Sequence, residues 1–248
     1  MVERILAQTG SNEWSLWLSG ANNFRYSIFP QYKANRIGKP RPKWLECCRE
    51  HLVTEWAGRV TDGYEADDAL AMERGRIGGR GIVASIDKDL QQIAGRHYNF
   101  VKEEWTEVTD EQATYNFYWH CLVGDAADNI RGAPGIGPKK ASRILASGDS
   151  DGSLFDLARR TFGNDGLYLL TGQLIWLLRK EGDVWNPPQL QHVISERGMD
   201  HRSESMLTMP EETPLSTEHI IPKDSGDLSH GANTSGFVLT GNHLDLTS

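Results

Sequence analysis

The 248-residue chain carries 34 acids against 26 bases, a formal net charge of -8, with 38% hydrophobic and 24% charged residues. It is long enough for one sizeable domain or two small ones. No apolar run reaches the roughly 18 residues that a membrane span needs, and Met1-Val2-Glu3-Arg4 leads into no secretory core, so a cytoplasmic protein is expected. Cys47, Cys48 and Cys121 fit neither a disulfide framework nor a zinc spacing and read as reduced thiols. The charge is uneven: from Gly182 onward ten acids face three bases, which leaves residues 1–181 at a net of -1 and free to hold strong local patches.

In chain order, residues 14–18 (WSLWL) predict a strand ending at Ser19-Gly20. A basic stretch follows, with Arg25 upstream of Tyr32, Lys33, Arg36, Lys39, Arg41 and Lys43, and Pro40 and Pro42 keep it from being a smooth helix. Such runs are usually solvated loops, but an interleaved aromatic also suits a nucleic-acid end-binding site. Leu45, Cys48, Leu52 and Trp56 fall at helical spacing, and residues 67–73 continue a second helix. Residues 81–86 (GIVASI) predict a buried strand that stops at Asp87, with a helix behind it. From 110 to 122 and from 138 to 178 the signals are only helical. The expected architecture is α/β: a parallel-sheet core over 1–109, a helical subdomain over 110–181 and a largely disordered tail over 182–248, rich in proline and acid. Ile220-Ile221 and Phe237-Val238-Leu239 are apolar specks that could dock, yet a solvated tail is the favoured reading.

Three short motifs concentrate acids. Glu65, Asp67 and Asp68 open a helix; Asp87 and Asp89 stand at the carboxyl end of a buried strand, where open α/β sheets bind ligands; Asp125 and Asp128 are at i, i+3 spacing. Helix-dipole preference, N-capping and turn formation would each explain one motif alone. If all three converge, seven carboxylates repel one another unless cations neutralise them, and oxygen-only donors favour Mg²⁺, with Mn²⁺ the alternative. Two such ions would suit in-line phosphodiester displacement.

The most specific string is Gly132-Ala133-Pro134-Gly135-Ile136-Gly137-Pro138-Lys139-Lys140-Ala141. Its glycines allow a tight turn, Pro138 suits a first helical position, and Ala141, Ile144 and Leu145 give the helix a buried side. Arg131, Lys139, Lys140 and Arg143 surround it, as in a helix-hairpin-helix that grips phosphates without reading bases. A nucleotide-binding P-loop is excluded, because no Ser or Thr follows a glycine-lysine here.

Four segments in this order, FPQYKANR (29–36), GYEADDALA (63–71), SIDKDLQQI (85–93) and GDAADNIRGAPGIGPKKA (124–141), resemble the 5′-3′ exonuclease and flap endonuclease family. Its bacteriophage members are the nearest in pattern, with kinship to the 5′ nuclease domain of bacterial DNA polymerase I, and the likeness spans roughly residues 13–178. The resemblance implies a metal-dependent nuclease for DNA 5′ ends or flaps, or for RNA paired to DNA, in a host cytoplasm if phage-encoded. It implies Glu65, Asp67, Asp68, Asp87, Asp89, Asp125 and Asp128 as metal ligands and Lys33 and Arg36 as catalytic cationic residues beside the scissile phosphate. It further implies a duplex-binding hairpin at Gly135, Gly137, Lys139 and Lys140 that holds K⁺. The family pattern begins with a strand bearing a metal-binding Asp and a helix, ahead of the strand at 14–18. That unit is missing, so a truncated relative that binds DNA structures without cutting them is the alternative.

Overall fold

The computed structural model describes residues 1–193 and the strand Ser235–Thr240. Helix α1 (Val2–Thr9) buries Val2 and Ile5 and stops at Gly10, and β1 (Glu13–Leu18) follows with Leu16 and Leu18 turned inward, so the expectation that no helix precedes this strand is corrected. After α2 (Phe24–Ile28), α3 (Leu45–Trp56) and the two-residue β2 (Arg59–Val60) comes α4 (Ala66–Ile77), then β3 (Ile82–Ala84), β4 (Gly95–Asn99) and β5 (Glu104–Val108). The helical half holds α5 (Asp110–Val123), a small hairpin of β6 (Gly124–Asp125) and β7 (Ile130–Arg131), then α6 (Pro138–Leu145), α7 (Asp151–Phe162) and α8 (Asp165–Ile175). The last described strand is β8 (Ser235–Thr240).

The main sheet has the order β2-β1-β8-β3-β4-β5. The expectation of a parallel sheet is corrected: β1 pairs with β2 and β3 with β4 in parallel, but β8 runs antiparallel to both β1 and β3, and β5 runs antiparallel to β4. Alternation along β8 completes both faces. Phe237 and Leu239 join Leu16, Leu18, Ile82 and Tyr98 beneath α1, while Val238 joins Val83, Leu70 and Leu90 on the α4 side. The helix expected behind Asp87 is also corrected. It is a short 3-10 segment, Lys88–Gln92, that buries Leu90, and the chain passes the buried Ile93 and returns as β4.

Disorder over 182–248 is corrected at two places. Phe237, Val238 and Leu239 are 5%, 1% and 0% exposed in the centre of the sheet. Trp185, Leu190 and Val193 are buried in the helical core with Phe117, Leu145 and Tyr168, so the helical unit continues past 181. Gly172 makes room for Trp185: a Cβ there would lie 2.1 Å from the indole. Both departures have one cause. Composition registers a mean over the segment, whereas three alternating apolar residues, or one tryptophan, are enough to fill a particular gap in a packed core. Residues 194–234 and 241–248, Ile220-Ile221 among them, lie outside the described residues.

Leu239→Ala should therefore lower stability by about 2–5 kcal/mol. That corresponds to a fall in thermal midpoint of at least roughly 4 °C by circular dichroism. An unchanged midpoint would remove β8 from the sheet.

Candidate active site

Helix α4 starts at Glu65, whose side chain and that of Asp68 form a reciprocal capping box. Asp68 is fully buried and accepts from Arg25 Nη1 at 2.6 Å, Arg25 Nη2 at 2.9 Å, Glu65 N at 3.0 Å and Leu178 N at 3.1 Å. Arg25, 2% exposed, also donates to the carbonyls of Leu174 and Trp176 at 2.8 and 2.7 Å. Burial works against the guanidinium's charge, but Asp68 outweighs it and holds the Arg25 pKa above its ordinary value. This corrects the expectation for Asp68: both oxygens are already engaged, and it positions α4 rather than facing a ligand.

The other motifs meet around Tyr32, Lys33 and Arg36. Lys33 Nζ pairs with Glu65 and lies 3.4 Å from Asp128, and Arg36 pairs with Asp128. Tyr32 Oη donates its single proton to Glu65 at 2.7 Å and lies 3.1 Å from an Asp128 oxygen. Tyr32 is 3% exposed, so it is a strut between two acidic motifs and not the base-stacking platform its setting among cations implied. Burial first, and then Glu65, raises its phenol pKa.

Asp87 links the second motif to the others. It caps its own turn, accepting from Asp89 N at 2.8 Å. Asp67 is held well above the usual carboxylate range by burial, then by the charges of Asp87, Glu65 and Asp68. Burial pushes Asp89 up to about 6, with Asp87 and Asp125 adding to the rise and His120, 3.6 Å away, opposing it. Carboxylates from all three motifs thus feel one another's charge. Among the described residues no three acidic, histidine or cysteine side chains close on a point that would hold an ion. The donor chemistry nevertheless fits hard divalent cations: carboxylate oxygens crowded enough to resist ionisation. His120 was missed in the sequence, because a lone histidine inside α5 gives no sign that its helix runs past Asp89.

The hairpin string forms as expected. Gly135 adopts φ +71°, Pro138 opens α6, Ala141 and Leu145 are buried, and Arg131, Lys139, Lys140 and Arg143 are exposed. Gly137 is the residue before that helix. No helix among the described residues is long and apolar enough to cross a membrane. Cys47 and Cys48 are exposed and Cys121 is buried, all as free thiols.

No family model matches the chain. It is 28% identical over 147 residues to flap endonuclease Xni of Shewanella sediminis, which covers 52% of this chain and 56% of that protein. With Xni of Shewanella amazonensis the figures are 30% over 156 residues, 56% and 61%. With DNA polymerase I of Deinococcus radiodurans they are 29% over 136 residues, 49% and 14%. The chain thus spans a little over half the length of the curated flap endonucleases it matches. Among solved structures, a bacteriophage T5 flap endonuclease in a pseudo-enzyme–product complex with DNA and metal ions superposes with TM-score 0.54 at 18% identity, covering 80% of this chain and 83% of that one. T5 5′-exonuclease bound to divalent zinc gives TM-score 0.52 at 17% identity, covering 70% and 78%. The resemblance read from the four segments is borne out: the relatives are flap endonucleases and polymerase I, and the fold is that of the T5 5′ nuclease.

Two substitutions separate structural from functional acids. Asp68→Ala strands a buried guanidinium and should cost about 3–5 kcal/mol. A thermal midpoint left in place would return Asp68 to the ligand set. Asp89→Asn should act oppositely. Its folded pKa of about 6 stands above the ordinary 3.8, so the ionised form is disfavoured in the fold and its cost builds up as pH rises from 3.8 and is complete above about 6. With chelator present, the variant should melt a few degrees higher at pH 7.5, about 2–4 °C once partial solvent exposure is discounted. The gain should fade as pH drops through 6 toward 4, where Asp89 takes up a proton in the fold. A pH-independent difference would refute this account.

Proposed function

We propose that this chain is a divalent-metal-dependent nuclease that hydrolyses phosphodiesters at DNA 5′ ends or flaps. The observation that carries the reading is the mutual charge of Asp67, Asp87, Asp89 and Asp125 beside the Lys33–Glu65 and Arg36–Asp128 pairs, in a chain that also exposes a basic hairpin. Glu65, Asp67, Asp87, Asp89, Asp125 and Asp128 would hold two ions, Mg²⁺ in preference to Mn²⁺. Bound there, such ions activate a water and stabilise the departing oxygen. Lys33 and Arg36 serve a different end. With acids as their partners in the free protein, they can turn to the phosphate when cations take over those acids, and their charge then stabilises the transition state.

The hairpin reads as the duplex grip. Lys139 and Lys140, with Arg131 and Arg143 nearby, contact phosphates of any sequence, and the turn of Gly135 and Gly137 is the place for K⁺. DNA is the favoured substrate, and an RNA strand paired to DNA presents the same 5′ phosphate. Free exposed thiols at Cys47 and Cys48 suit the reducing cytoplasm. A second reading has one observation in its favour: β8, the strand between β1 and β3, contains no acid and gives that edge no carboxylate. On that reading the chain binds branched DNA without cutting it.

Incubation of a 5′-flapped duplex with Mg²⁺ separates the two. The nuclease reading expects cleavage that Asp87→Asn reduces by about 10²-fold or more while binding persists or tightens. Binding with no cleavage by the unaltered chain would favour the second reading.

A further inference from the structure

We propose that the cavity between the Lys88–Gln92 turn and one face of α5 is a subsite for a single unpaired nucleotide, its base held beside Asp89. This deepens the nuclease reading and rests on it. The cavity measures about 250 Å³. That is below the usual range for drug-sized ligands, about 300–1,000 Å³, and on the scale of one planar ring system.

Its wall follows from helical spacing. Tyr115 and Trp119 are four apart on α5, as are Asn116 and His120, so the helix presents an aromatic pair next to a polar pair. Trp119 is fixed from behind, where its Nε1 donates to Ser142 Oγ of α6 at 3.0 Å, so the hairpin helix sets the indole's position. The polar side is equally built. Asn116 Nδ2 donates to Gln91 O at 3.0 Å, Gln92 Nε2 stands 3.3 Å from His120 Nδ1, and His120 Nε2 is 3.6 Å from Asp89.

One group in this network is left over. Gln92 is 2% exposed, yet its Oε1 has no hydrogen-bond partner among the described residues. Exchanging the two ends of the amide would leave its NH2 without an acceptor instead, which a base's ring nitrogen or carbonyl would supply. A buried amide oxygen calls for an N–H donor, which the amino groups and ring N–H of nucleobases supply. Aromatic side chains supply the matching stacking surface, since every base has a π-face. Lys88, exposed on the same turn, places a positive charge where the nucleotide's phosphate would follow. The cavity touches the candidate ligand Asp89 on one side and reaches the hairpin through Trp119 and Ser142 on the other, so a strand spanning both passes it.

The test reads binding, in chelator, by fluorescence anisotropy of a 5′-flapped duplex in which each nucleotide flanking the junction is replaced in turn by an abasic residue. At one position the missing base should weaken binding roughly tenfold. Tyr115→Leu and Trp119→Leu should each weaken the intact substrate by a similar factor and leave the abasic one unaffected. Tyr115→Leu decides if Trp119→Leu lowers the thermal midpoint through its lost Ser142 bond. No sensitive position, or an equal loss on every substrate by a variant with an unchanged midpoint, overturns the subsite. Coupling without Mg²⁺-dependent cleavage would keep the subsite and overturn the nuclease reading; cleavage without coupling does the reverse.

Discussion

The buried Arg25–Asp68 pair is the interaction on which the rest of the arrangement depends. Taking both charges out of water is expensive, and the geometry offsets it with two contacts between the ions, two backbone amides on the carboxylate and two carbonyls on the guanidinium. Those partners come from α2, the start of α4 and the chain leaving α8. One ion pair thus ties the sheet unit to the helical unit. It also fixes the first turn of α4, from which Glu65 faces Tyr32 and Lys33 while Asp67 feels the charge of Asp87. A pair replaced by apolar groups could be as stable, but it would not hold three segments in one register.

Around that fixed point the molecule accumulates unfavourable charge. Asp67 and Asp89 are both pushed toward their neutral forms by burial and by neighbouring carboxylates, a tension that a core selected for stability alone would remove. Lys33 and Arg36 pair with Glu65 and Asp128, and the Lys33 charge also opposes the rise at Asp67 without outweighing burial and the neighbouring acids. On the reading proposed above, this imbalance is what bound cations would relieve. The tyrosine between the two acids is a neutral spacer: its hydroxyl donates to Glu65 and sits 3.1 Å from Asp128, adding no further charge to the cluster.

Much of this was legible before any coordinates. β1, β3, α4, α5 and the hairpin helix each carry a local signal, whether alternation, a capping residue or a proline-glycine turn, and local signals survive folding. The ambiguity over Asp68 was of another kind. Its i, i+3 relation to Glu65 is equally compatible with a shared ligand face and with a capping box, and only the arrival of Arg25, 43 residues away in sequence, decides between them. β4 and β5 were hidden because Arg96 and His97 in β4 and Glu104 and Glu107 in the edge strand β5 dilute their apolar content. His120 and Gln92 were invisible because their meaning lies in a contact between α5 and the turn after β3.

β8 shows the limit most clearly, and its direction matters. A strand occupies a sheet's centre by supplying apolar side chains to both faces and backbone groups to both neighbours, and neither demand depends on polarity. Phe237 and Leu239 on one side and Val238 on the other meet the first demand, and the paired registers with β1 and β3 meet the second. Polarity does decide what stands at each end. Ser235 is opposite Leu18 and Phe237 opposite Ala84, so β8 begins at the edge where β1 and β3 finish and where Asp87 follows β3. A parallel strand would end there and aim its next residue at the carboxylates, as β3 does. The antiparallel strand fills the core between β1 and β3 and pairs with both while leaving the supply of charge at that edge to α4, the turn after β3 and the β6–β7 hairpin.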